Sequence, residues 1–84
     1  MPQNWWGKPV TVETQKVGQR LAITSVERAA EFMLQEWPSS ARGKAFNRAQ
    51  GALLEALEGT RSADKAKTAF IAALREGGIY IFEE

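Results

Sequence analysis

The chain opens on alternation. Val10-Thr11-Val12-Glu13-Thr14 places apolar and polar side chains in turn and is rich in β-branched types, the period of a half-buried strand. Lys16-Val17-Gly18-Gln19 supplies a turn with a glycine, and Arg20-Leu21-Ala22-Ile23-Thr24 resumes the alternation. These segments predict a β-hairpin with Val10, Val12, Leu21 and Ile23 on its inner face. The period then lengthens. Thr24 with Glu27 forms a capping box, with Ser25 as the competing cap, and Val26, Ala30, Met33, Leu34 and Trp37 follow on one helical stripe, with Phe32 off it. Pro38 stops this helix near Glu36 or Trp37.

A connection, Pro38-Ser39-Ser40-Ala41-Arg42-Gly43, leads to a second helix that runs to about Glu58 and is capped by Gly59. Its stripe is Phe46, Ala49, Leu53, Ala56 and Leu57; Gly51, in mid-helix, implies close approach of another element. Ser62 caps a third helix with the stripe Ala66, Ala69, Phe70, Ala73 and Leu74, and Gly77-Gly78 ends it. Ile79-Tyr80-Ile81-Phe82 is a last strand, apolar on both faces. The order β-β-α-α-α-β predicts an α+β fold, with three helices on one face of a three-stranded, mainly antiparallel sheet. If the helices alternate in direction, the last strand runs opposite to the first: pairing beside the first gives an all-antiparallel sheet of order 2-1-3, the preferred arrangement, and pairing beside the second would be parallel.

The 84 residues fit a single domain, 1–84, with residues 1–8 as an N-terminal arm. Charge barely changes the picture: eleven Lys and Arg stand against ten Asp and Glu. That balance gives no general attraction to nucleic acid or anionic membranes. No apolar run is long enough to span a bilayer and no export signal is visible, so the expected location is the cytoplasm. Composition changes the picture far more, because the chain has neither cysteine nor histidine. Disulfides, thiol chemistry and cysteine-ligated metals are excluded, and the usual proton shuttle and commonest metal ligand are missing. No metal or other cofactor is expected.

Trp6 with Pro9-Val10, Gly18, the Trp37-Pro38 pair, Gly43, Ala56-Leu57 with Gly59, and Ala69-Phe70-Ile71 leading to Gly78-Ile79 stand in this order along nearly the whole chain. This pattern resembles the domain of unknown function 982 family, short proteins of rhizobia and related bacteria. The resemblance implies a bacterial cytoplasmic protein. It brings no activity and no functional residue with it.

Four chemistries compete for the surface. Ser39, Ser40, Arg42, Lys44 and Arg48 gather hydroxyls and cations around Gly43 at the entrance to the second helix, where free N–H groups and the helix dipole favour an anion. It is not a P-loop, since Gly43-Lys44 lacks the upstream glycine and Ala45 stands where a hydroxyl belongs. The competing explanation is a serine-capped helix with solvated cations, paired with Glu36 or another acid. Trp5, Trp6, Tyr80 and Phe82 form the second candidate, an aromatic patch on the sheet face away from the helices. Either the N-terminal arm covers it, or it meets a protein partner or a second copy; the last strand also offers an open edge. Nucleic acid is the third, through Arg61, Lys65 and Lys67 with the basic entrance or through a helix-turn-helix reading of the second and third helices, but no nucleic-acid signature accompanies them. Catalysis is the fourth and weakest: Glu27, Glu31, Asp64 and Glu76 sit where caps and solvated faces explain them, and Ser39 and Ser40 have no histidine to activate them. The expected function is a non-enzymatic interaction or regulatory module acting through the aromatic sheet face or edge, alone or as a homodimer; the alternative is anion or nucleic-acid binding at the second helix entrance.

Overall fold

A computed structural model describes residues 5–13 and 19–83. The turn expected at Lys16-Val17-Gly18 and the first four residues of the expected arm lie outside the described residues, as does the side chain of Ser39. The elements are β1 (Trp5–Glu13), β2 (Arg20–Ser25), α1 (Val26–Gln35), a 3-10 turn (Ser39–Ala41), α2 (Lys44–Leu57), α3 (Ala63–Glu76) and β3 (Ile81–Glu83). The sheet order is β2-β1-β3 and both pairings are antiparallel. The fold is α+β, with three helices packed on one face of the sheet.

Strand alternation does the sorting. Val10, Val12 and Ile23 are fully buried beneath the helices, while Glu13, Arg20 and Ala22 face solvent. β1 begins at Trp5, so residues 5–8 are strand rather than part of an arm. Pairing is irregular there: Trp5 faces Ser25 and Val10 faces Ile23, so five positions of β1 advance against two of β2. Pro9 lies inside this bulge, where a residue with no N–H costs the ladder nothing. The Lys8 carbonyl in the same bulge accepts a hydrogen bond from Lys67 Nζ of α3 at 2.7 Å.

Ser25, rather than Thr24, caps α1, its hydroxyl accepting from Arg28 N at 3.2 Å. Ser62 caps α3 in the same way through Lys65 N at 3.2 Å. Gly59 and Gly78 end α2 and α3 at φ +87° and +72°, left-handed values that cost other residues energy. The buried face of α1 is Val26, Ala29, Phe32 and Met33, so Phe32 belongs to the core and Leu34 does not. α2 buries Phe46, Ala49, Ala52, Leu53 and Ala56 and leaves Leu57 outside, while α3 buries Ala66, Phe70, Ala73 and Leu74. The expectation for Gly51 fails: a Cβ built there would meet nothing within 4 Å, and the residue is exposed. A helix-interior glycine costs about 1 kcal/mol relative to alanine, so α2 bears that cost with no packing gain within the chain.

Candidate functional site

The aromatic residues expected to share one sheet face are divided by the structure. Trp6 is only 5% exposed. Its ring meets Phe70 at 5.7 Å and its Nε1 donates to the Ala63 carbonyl at 3.0 Å, so it joins β1 to the first residue of α3 and belongs to the core. Trp5, its neighbour on an alternating strand, is exposed but lies at the far end of β1 from β3, which pairs at Thr11 and Val12. Seven residues of strand separate these ends by about 20 Å. Tyr80 and Phe82 remain together, edge to face at 4.7 Å, with the Arg20 guanidinium 4.2 Å from the centre of the Phe82 ring. Arg20 thus covers part of this pair from β2's side of the sheet. Four aromatics therefore do not form one patch.

The entrance to α2 meets its electrostatic requirement from within the chain. Gly43 is the N-cap residue and makes no side-chain cap. The carboxylate of Glu76, from the last turn of α3, reaches across and accepts the Ala45 N–H at 3.0 Å. A Cβ on Gly43 would collide with that carboxylate, so glycine is what admits it. Alongside, a Cβ on Gly77 would come within 3.0 Å of Ala41 Cβ, which shows how closely the 3-10 turn lies against the end of α3. At the end of α3 a carboxylate opposes the helix dipole, whereas at the start of α2 it complements it, so Glu76 serves α2. Glu36, the acid named from sequence, lies instead at the C-cap of α1. The Arg42 guanidinium stands 5.3 Å from the Phe46 ring centre, and Lys44, Arg48 and Ser40 are exposed. Glu76→Ala removes the cap and should lower stability by about 1 kcal/mol, read as a shift in the urea midpoint at unchanged slope.

The other charged candidates also have neighbours. Arg61 pairs with Glu55 at 2.6 Å, Arg28 with Glu31 at 3.5 Å, and Lys67 holds the β1 bulge. Asp64 occupies the first turn of α3, where a carboxylate is favourable. Among the described residues, no group of three or more acidic side chains could hold a metal ion, and no helix is long and apolar enough to cross a membrane.

A surface that sequence reasoning missed lies on the outside of α1 and α2. Leu34 is 71% exposed, Leu54 59% and Leu57 41%, and all three line one groove with Ala30, Met33 and Gly51. The remaining lining, Asn47, Gln50 and Leu53, brings in no charge. A second, more polar groove on the α3 side is lined by Arg48, Glu55 and Arg61 and also reaches Gly51, so Gly51 sits on the crest of α2 between the two. The charges of α2 oppose its own dipole: Lys44 and Arg48 occupy its first half, Glu55 and Glu58 its end, with no acid in the first turn and no base in the last. Leu54 was the available signal, an apolar residue outside every predicted stripe.

No curated protein and no solved structure matches the chain. A family model does, over residues 8–81, from the Pro9 bulge to the first residue of β3. The chain therefore belongs to the family described as protein of unknown function (DUF982).

Proposed function

We propose that this chain is a non-catalytic protein-interaction module that engages its partner through the outer face of α1 and α2. The observation that carries the reading is the uncharged groove containing Leu34, Leu54 and Leu57. Single exposed leucines are ordinary, but three around one groove form a contiguous apolar patch of the kind that marks interaction sites. Binding rather than catalysis is supported by a sequence without histidine or cysteine and by acids engaged in caps and ion pairs. A second reading, strand addition at β3, is favoured by one observation: among the described residues β3 is an edge strand bonded only to β1, with Tyr80 exposed beside it.

The two readings separate by photo-crosslinking in cells with a benzophenone side chain placed at position 34, 54 or 80. Discrete adducts are expected from Leu34 and Leu54, lost when Leu57→Asp is added. Adducts from Tyr80 alone would replace the helix face with the strand edge.

A further inference from the structure

The outer stripe of α2 carries its charges in an order that reverses about Gly51. Lys44, Gly51 and Glu58 are spaced seven residues apart, nearly two helical turns each, so they fall on one line along the exposed side of the helix. Gly51 is its midpoint. A base stands one way from that midpoint and an acid stands at the same distance the other way. Inverting a second helix about Gly51 therefore sets Lys44 of each copy opposite Glu58 of the other. On the α3 side, Arg48 and Glu55 lie three and four residues from Gly51, so the same operation brings each Arg48 beside the other copy's Glu55. Glu55 already holds Arg61 at 2.6 Å through one oxygen, and a carboxylate can accept a further guanidinium through its other oxygen.

The two-fold axis that inverts the helix also brings like flanks together. Leu34, Leu54 and Leu57 lie on the α1 side and would meet the same three leucines of the other copy in an uncharged seam. Gly51, where a Cβ would meet nothing within 4 Å, leaves the crest of the helix low, where two α2 backbones can approach closely. The charge order that opposes the dipole of α2 within one molecule becomes complementary between two molecules in antiparallel array. We infer that the partner of the α1–α2 face is a second copy of this chain, joined by antiparallel packing of α2 against α2 about Gly51. This rests on the interaction reading of that face and specifies its occupant.

The contact involves one helix, 14 residues long, with its flanks. A contact built on one helix and its flanks belongs with small, weak interfaces rather than obligate ones, so association in the micromolar range is expected. Sedimentation equilibrium of the full chain from about 5 to about 500 µM would bracket it. The parent chain is expected to move reversibly from monomer to dimer. Lys44→Glu alone, or Glu58→Lys alone, places like charges opposite each other twice in a symmetric dimer and should weaken association about tenfold. Mixing these two variants should restore it as a heterodimer, since each supplies what the other lacks. Both substitutions improve the match of α2 to its own dipole, so at concentrations where the parent is monomeric neither should lower the melting temperature. Gly51→Gln should raise the melting temperature through helix propensity and abolish the dimer by holding the backbones apart. A parent chain that stays monomeric at the highest concentration would overturn the inference, as would a dimer indifferent to Lys44→Glu and Glu58→Lys. In either case, adducts of another mass from positions 34 and 54 would leave the interaction reading standing, whereas their absence would remove both.

Discussion

Replacing Phe70 by alanine is expected to lower stability by about 3–5 kcal/mol, among the largest single effects in the chain. Phe70 is fully buried in α3, and its ring meets Trp6 of β1 at 5.7 Å, Phe32 of α1 at 6.2 Å and Trp37 at 6.2 Å. Trp37 carries the cluster on to Phe46 of α2 at 5.1 Å and is fixed by its own Nε1, which donates to the Ala41 carbonyl at 3.0 Å. One ring therefore joins a strand, another helix and the connection between α1 and α2. With no disulfide to constrain the unfolded chain, nothing outside packing compensates for its loss. A domain of this length has about 4–12 kcal/mol of total stability, so Phe70→Ala removes a large share of it. The melting temperature should fall by about 15–30 °C, followed by circular dichroism and tryptophan fluorescence together. Phe70→Leu, which keeps part of the volume, should cost less than half as much. A Phe70→Ala chain melting within a few degrees of the parent would mean that the aromatic cluster is not the centre of the core.

Much of this arrangement was legible from residue order because local signals agreed with the global fold. The hairpin followed from period-two alternation and the helix ends from Ser62, Gly59 and Gly78, with Ser25 winning over Thr24 at the start of α1; strand direction allowed β3 beside either β1 or β2, and the structure places it beside β1. The rotation of α1 was less legible. Both Met33 and Leu34 can join an apolar arc through Val26, and periodicity alone does not say on which side the arc ends. Tertiary packing decides: Phe32 turns inward against Trp37 at 5.8 Å and Phe70 at 6.2 Å, and the arc shifts toward Ala29, carrying Leu34 into solvent.

That rotation is also why the candidate surface was hidden. Helical periodicity places Leu34 and Leu57 on core-facing stripes and gives Gly51 a close neighbour, whereas the assembled helices expose both leucines and a Cβ at Gly51 would meet nothing within 4 Å. The basic entrance of α2 was visible in sequence, but the carboxylate that answers it comes from a residue 31 positions away, a distance no local pattern spans. The outer groove thus combines residues whose exposure only the assembled helices define, whereas the reversed charge order of α2 could be read from Lys44, Arg48, Glu55 and Glu58 directly.

Trp5 and Trp6 provide the sharpest contrast between adjacent residues, and their substitution should separate surface from core. Successive strand side chains point to opposite faces, so only one of the pair can enter the core. Trp6 does: it is buried, packs on Phe70, and donates its indole N–H to the Ala63 carbonyl. Trp6→Ala should therefore cost about 3–5 kcal/mol, because the cavity opens between β1 and α3 where the bulge around Pro9 leaves the fewest ladder bonds to hold the strand. Trp6→Phe keeps an aromatic ring against Phe70 and loses mainly the hydrogen bond to Ala63, about 1 kcal/mol beyond the change in ring size. Trp5→Ala removes a ring that lies largely in solvent and should change stability by no more than about 0.5 kcal/mol. Urea unfolding of the three variants, at concentrations below any self-association, gives the order directly. Equal losses from Trp5→Ala and Trp6→Ala would mean that β1 does not present its faces as described, and the helix-covered sheet would have to be redrawn.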